Sequence, residues 1–193
     1  MEKGGLTRAL ADAGLRSDDE VYASDEMRLG LRGTVRRVLA PKGVKVVQPL
    51  QLRYEWSYLL LAVNPKTGEL RWRWIERMRQ EHIKAVLSEW ALDGLVWDRA
   101  PSHRAKSLRE LPTKRVFLPS YSPELNPAER IFEEVRRRVE GLVYDSIEDK
   151  QTKVESYLQE LGADCERVKR LCGWEWMREA CERLPLPGEA AAR

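Results

Sequence analysis

The sequence is short of cysteine and histidine and has no long apolar run. Its three cysteines, Cys165, Cys172 and Cys181, have no C-x-x-C spacing, which excludes a zinc ribbon and a disulfide framework and leaves reduced thiols in or beside helices. Two histidines, His82 and His103, with no cysteine at ligand spacing do not make a zinc site either. The longest apolar stretch, around Tyr58 to Val63, is far too short to span a bilayer, and "MEKGGLTRALADAG" lacks a signal core. A cytoplasmic location is therefore expected. No repeat or low-complexity segment interrupts the chain.

At 193 residues, 42% hydrophobic and 34% charged, the composition is that of one folded domain rather than a disordered chain. The net charge of +3 is too small to announce a nucleic-acid partner, which must be argued from where the charges sit.

Residues 1–20 read as an arm or short helix. Then "VYASDEMRLG" alternates as a strand, with Val21, Ala23, Asp25, Met27 and Leu29 on one face. The runs Thr34–Pro41 and Val44–Leu50 follow, with a turn between them. "RYEWSYLLLAVNPKTGELRWRWI" reads as a hairpin with strands near Tyr54–Val63 and Glu69–Ile75 around the Asn64–Gly68 turn. A helix is expected over Glu76–Trp90, with Ile75, Met78, His82, Val86 and Trp90 along one stripe. "GLVWD" is a short buried strand ending in Asp98, "SHRAKSLREL" a short helix capped by Ser102, and "RVFLPS" a fifth strand. Helices follow over Pro127–Leu142 and Ser146–Leu161, the second with Asp145 and Glu148 as a cap pair. A mixed α/β sheet flanked by helices fits this order. The boundaries expected are an arm over 1–20, a core over 21–145 and a helical extension of the same domain over 146–193.

Three carboxylates stand out. Asp25 lies among apolar residues, where an unpaired charge costs several kcal/mol, as an order of magnitude. Asp98 ends an apolar strand, at the kind of sheet edge where α/β sites form. Glu129 has two readings. Asn126 as N-cap, Pro127 at the first helical position and Glu129 at the third make a capping box. That leaves "LPSYSP" before them unexplained, and a path as stiff as Pro119, Pro123 and Pro127 together make it suits an acid held at a metal. Taken together, the three acids suit Mg²⁺, which takes oxygen ligands and substrate phosphate. Two such ions about 3.5–4 Å apart would serve in-line phosphoryl displacement. All-oxygen ligands suit Mn²⁺ equally.

Glu26, Glu124 and Glu133 are rival acids, and Glu26 falls on the opposite strand face from Asp25. Arg71 and Arg73 alternate with Trp72 and Trp74. They suit either DNA backbone contact or a solvated face over a buried tryptophan pair. Arg136, Arg137 and Arg138 put positive charge beyond Glu129 on its helix.

"SDEMRLGLRG", "RRVLAPKGVK", "YEWSYLLLAVNPKTGE", "LVWDRAPSHRAK" and "LPSYSPELNPAERIFEEVR" resemble, in order, the catalytic domain of DDE-type transposases of the Tc/mariner-like insertion sequences, from about Val21 to Gly141. The resemblance implies an RNase H-like fold, a mixed five-stranded sheet with three antiparallel strands first. It implies two divalent ions per active site, Mg²⁺ or Mn²⁺, and DNA strand cleavage followed by strand transfer. By motif the acids are Asp25 of "SDE", Asp98 of "WDRAPSH" and Glu129 of "NPAE". His103 matches a motif histidine and would orient a phosphate or the second acid. Arg99 stands where relatives carry a small or amide residue, and with His103, Arg71, Arg73, Arg136 and Arg137 it is a candidate DNA contact. The implied partners are double-stranded DNA, as transposon ends and target, and a second copy in a homodimer. Relatives carry helix-turn-helix modules ahead of this domain, whereas about 20 residues precede Asp25, so a separate reading frame is the expected source. Such a protein would work at the nucleoid. The alternatives are a catalytically silent DNA-binding remnant and a host-adopted nuclease.

Overall fold

The computed structural model describes residues 5–33 and 39–188. Strands β1 (Val21–Gly30), β2 (Trp56–Val63) and β3 (Leu70–Ile75) form an antiparallel meander, and β4 (Gly94–Trp97) and β5 (Lys114–Phe117) add in parallel on the other side of β1. The order is β3-β2-β1-β4-β5, so the first strand is central. This is the mixed five-stranded sheet that the sequence implies.

The hairpin between β2 and β3 is built by its turn residues. Asn64 Oδ1 accepts the backbone N–H groups of Lys66 (3.0 Å) and Thr67 (3.1 Å), an Asx turn that closes the loop locally. Gly68 has φ +80°, and a Cβ there would stand 2.2 Å from the carbonyl oxygen of Cys165. No other residue type fits.

Alternation along the strands splits the core in two. Ala23, Met27, Leu61, Val96 and Val116 face one layer, which holds α1 (Gly5–Asp12), α3 (Pro127–Val139), α4 (Ile147–Gly162), α5 (Cys165–Cys172) and α6 (Glu175–Glu182). Tyr22, Leu60, Leu95 and Trp97 face the other, covered by α2 (Gln80–Trp90) and by two 3-10 turns over Pro101–Arg104 and Lys106–Glu110. Each fully buried leucine contributes about 1.5–3 kcal/mol by leaving water.

Several boundaries differ from the sequence expectation. Helix α2 starts at Gln80, and its buried stripe is Ile83, Val86, Leu87 and Trp90. Met78 stays exposed and His82 partly exposed. The stretch after Asp98 forms 3-10 turns with no side-chain cap from Ser102. Helix α3 stops at Val139 and leaves Leu142 exposed. Ser146 itself caps α4, accepting the Asp149 N–H at 3.0 Å. Of the run Thr34–Pro41, residues 34–38 lie outside the described residues, and 39–55 run without helix or strand, with Leu39, Val47 and Tyr54 exposed. Cys165 is exposed, Cys172 and Cys181 are buried, and all three are free thiols.

Candidate active site

Asp25 lies on central β1, on the α3 side of the sheet. The parallel register pairs Ala23 with Val96, and carried two residues further it sets Asp98 level with Asp25. Adjacent strands are about 4.8 Å apart, so the two carboxylates leave the sheet as neighbours. Glu129 comes down from above, in the first turn of α3. All three line one cleft of about 520 Å³, walled by Arg99, Pro101, Pro119, Tyr121 and Asn126.

Asn126 ties helix to strand. Its Oδ1 caps α3 by accepting the Ala128 N–H at 3.1 Å, and its Nδ2 donates to the Ser24 carbonyl at 3.0 Å and to Asp25 Oδ2 at 3.2 Å. The sequence located the cap but not the tie, because the partner is about a hundred residues away. The capping-box half of the expectation is absent. The Asn126 N–H donates to the Pro123 carbonyl at 2.9 Å, and the Glu129 carboxylate is paired with Arg136 at 3.3 Å. Glu129 is free of the cap and opens on the cleft.

The electrostatics are those of crowded acids. Burial, and then the negative charges of Glu26, Glu129 and Asp98, push the Asp25 carboxyl up to about 7, while the Glu26 N–H bond at 2.8 Å opposes the rise. Among the described residues no three acid, histidine or cysteine side chains already cage an ion. The carboxylates flank the cleft, with Glu129 drawn aside by Arg136. Yet a cleft edged by three hard oxygen donors, one holding its proton near neutrality for want of positive charge, fits a divalent cation.

The other candidates separate. His103, considered as a DNA contact, has its side chain 1% exposed and points inward. It stacks on Trp97 with ring centroids 3.6 Å apart, and its Nε2 lies 2.8 Å from Glu26 Oε2. Its Nδ1 stands in ion-pair contact with Asp98 Oδ1, out of line for a formed hydrogen bond. Burial works against a charged imidazole, but the bond and charge of Glu26, with the charge of Asp98, outweigh it and hold His103 above the usual histidine range. Glu26, discounted as a rival acid, is the buried end of this chain, its side chain 2% exposed. The signal that singled out Asp25, an acid among apolar neighbours, was missing for Glu26, whose face of the strand carries Tyr22, Ser24 and Arg28.

Arg71 and Arg73 sit on the face opposite Asp25, two strands away. Arg71 pairs with Glu69 at 2.7 Å and donates to the Trp90 carbonyl, while Arg73 pairs with Glu89. Behind them the Trp72 and Trp74 indoles donate to the two oxygens of Glu155, at 3.0 and 2.9 Å. This is a paired face over a packed tryptophan pair. Arg99 lines the cleft and donates to the Leu118 carbonyl at 3.0 Å. Arg137 pairs with Glu134 on the outer side of α3. Tyr121, which the sequence did not single out, stands at the lip fully exposed at 100% with φ +59°, a conformation that a bulky side chain rarely adopts.

The chain superposes on the Mos1 transposase paired-end complex with left transposon end with a TM-score of 0.60 at 16% identity, covering 95% of this chain and 61% of that one. It superposes on the Mos1 strand transfer complex with a TM-score of 0.62 at 16% identity, covering 95% and 61%. For the mariner Mos1 paired end complex with Mg the TM-score is 0.58 at 17% identity, covering 95% and 62%. At such identities the likeness is one of fold, and the chain spans about three fifths of the Mos1 chains, 61–62%. The fold is RNase H-like. No curated protein matches the chain in sequence. The DDE superfamily endonuclease profile matches residues 20–151, two thirds of the chain, a stretch within which all three acids fall. On that match, the chain belongs to the DDE superfamily of endonucleases.

Proposed function

We propose that this chain is the catalytic domain of a DNA transposase, cutting transposon ends and joining them to target DNA, with Asp25, Asp98 and Glu129 as the acids that hold divalent ions. The observation that carries the reading is the convergence of three carboxylates from β1, the end of β4 and the start of α3 on one cleft, inside the stretch the family profile covers. Mg²⁺ or Mn²⁺ bound there would supply the Lewis-acid chemistry of phosphoryl transfer, activating a water or a 3′-hydroxyl and stabilising the leaving oxygen. The protein's part is orientation. The β1–β4 register fixes Asp25 and Asp98 side by side, and Asn126 fixes the angle at which α3 delivers Glu129. With positive charge bound beside it, Asp25 would hold its carboxylate ionised. Arg99 and Arg136 offer cationic groups at the rim for phosphate. Arg136 would exchange Glu129 for a DNA phosphate, which frees the acid when substrate arrives.

Double-stranded transposon ends and target are the substrates this reading implies, with a second copy in a homodimer and a helix-turn-helix module, on this or another chain, for end recognition. Among the described residues no helix is long and apolar enough to cross a membrane. The reading is tested by incubating labelled DNA duplexes with the protein and Mg²⁺ or Mn²⁺, comparing wild type with Asp98→Asn. Metal-dependent nicking lost in the variant is expected, and strand-transfer products distinguish a transposase from a simple nuclease. Equal activity in both proteins, or none in either metal, refutes it.

A further inference from the structure

From the face of the sheet away from the cleft, Glu26 and His103 make a line to Asp98 at the cleft, which connects the buried core to one of the three acids. Glu26 and His103 are side chains 2% and 1% exposed, whereas Asp98 is 49% exposed at the cleft. The chain thus runs from dry interior to wet site. The imidazole cannot swing, because it lies flat on Trp97 at 3.6 Å and 17° between ring planes. Its Nε2 is fixed by Glu26 at 2.8 Å, which sets Nδ1 beside Asp98 Oδ1. Oδ1 also accepts the Ala100 N–H at 3.0 Å. With one oxygen engaged by His103 and Ala100, the other is the one left for the cleft.

The arrangement is costly as packing alone. Two ionisable groups are taken out of water, at several kcal/mol each for ionised forms, and apolar residues of the same volume are commonly as stable or more so. Glu26 makes one side-chain hydrogen bond among the described residues, the one to His103, and its Oε1 is buried without a partner. An imidazole between two carboxylates satisfies both only when it donates from both nitrogens. Bonds of this kind at reactive carboxylates are often poorly aligned before substrate binds and tighten afterwards.

We infer that His103 and Glu26 are positioning residues for the metal site. Glu26 locks the His103 ring, and His103 holds Asp98 Oδ1 so that the second oxygen is presented to the ion. This rests on the metal-binding role proposed for Asp98. Partners that orient ligating carboxylates typically cost about 10- to 100-fold in metal affinity when removed.

The test is Mn²⁺ binding to the full chain without DNA, by titration calorimetry or electron paramagnetic resonance of free Mn²⁺, alongside the Mn²⁺ dependence of nicking. His103→Leu is expected to weaken Mn²⁺ binding by about 10- to 100-fold and to raise the Mn²⁺ concentration needed for half-maximal nicking by the same factor. The rate at saturating Mn²⁺ should fall much less. His103→Asn places an amide donor near the position of Nδ1 and is expected to recover most of the affinity, which a purely space-filling role for the ring would not produce. Glu26→Gln keeps the shape and a bond to Nε2 while removing the charge, and should fall between wild type and His103→Leu. If His103→Leu does not fold, His103→Asn and Glu26→Gln, each checked by circular dichroism, decide the matter against Asp98→Asn. Affinity unchanged in folded His103→Leu, or in both milder variants where His103→Leu does not fold, overturns the inference and leaves the metal site standing. No Mn²⁺ binding by wild type overturns both.

Discussion

Removing the charge of Asp25 should make the metal-free protein more stable at alkaline pH while destroying its activity. The Asp25 carboxyl is raised from 3.8 to about 7, first by burial and then by the charges of Glu26, Glu129 and Asp98. In the unfolded chain it has released its proton by about pH 4–5, whereas the folded protein keeps it to about 7. Its contribution to stability is therefore whole below the unfolded value and is lost as the pH rises through about 7. Roughly three units at about 1.4 kcal/mol each make that loss about 4 kcal/mol. Asp25→Asn abolishes it. The substituted amide can still accept the Glu26 N–H, but its own NH₂ then faces Asn126 Nδ2, and two opposed donors cost about 1–2 kcal/mol. In EDTA at pH 8 the variant should thus be about 2–3 kcal/mol more stable than wild type, and at pH 4 equal or about 1 kcal/mol less stable. Urea unfolding followed by the fluorescence of the seven tryptophans measures both. Saturating Mn²⁺ should reverse the ranking at pH 8 by stabilising wild type alone. Parallel pH profiles for the two proteins, or a less stable variant at pH 8, would refute the argument.

Asn126→Ala removes a helix cap and leaves the Ser24 carbonyl without its donor, so it should cost about 2–3 kcal/mol in urea unfolding. Glu129→Ala, which breaks only the half-exposed pair with Arg136, should cost under about 1 kcal/mol yet abolish nicking. Gly68→Ala drives a methyl group into the Cys165 carbonyl at positive φ and should lower stability by about 2 kcal/mol or more, read as a drop in Tm. Arg136→Ala should have opposite effects on two ligands. Freed from its pair, Glu129 should bind Mn²⁺ a few-fold more tightly, whereas DNA affinity should fall and the slope of log K against log salt should become shallower by about one.

Much of this architecture was legible in the sequence where a local rule had one solution. The β2–β3 hairpin follows from Asn64 and Gly68, β4 from an apolar run bounded by Gly94 and Asp98, and the start of α3 from Asn126–Pro127. Asp25 was visible as an acid out of place in an alternating strand. The start of α2 was not, because Ile75 belongs to the end of β3, and its burial extended the helical period backwards through Met78. The 3-10 turns after Asp98 are too short to carry a period. Helices α5 and α6, eight residues each, fall below the length at which a stripe can be read and stand only by packing. The Glu26–His103 bond joins residues 77 apart, and no local pattern announces it. What the sequence offered there was a histidine matching the family motif, suited to a phosphate or the second acid, with nothing to point to Glu26 as its partner.

The central placement of β1 has a consequence for the cell that makes this protein. Asp25 leaves the ribosome before its neighbour on β4, which follows more than seventy residues later, and the acid on α3 comes some thirty after that. A chain still being translated, or one cut short before α3, therefore lacks the third wall of the cleft. On the function proposed above, it would not cut DNA until synthesis had passed Glu129.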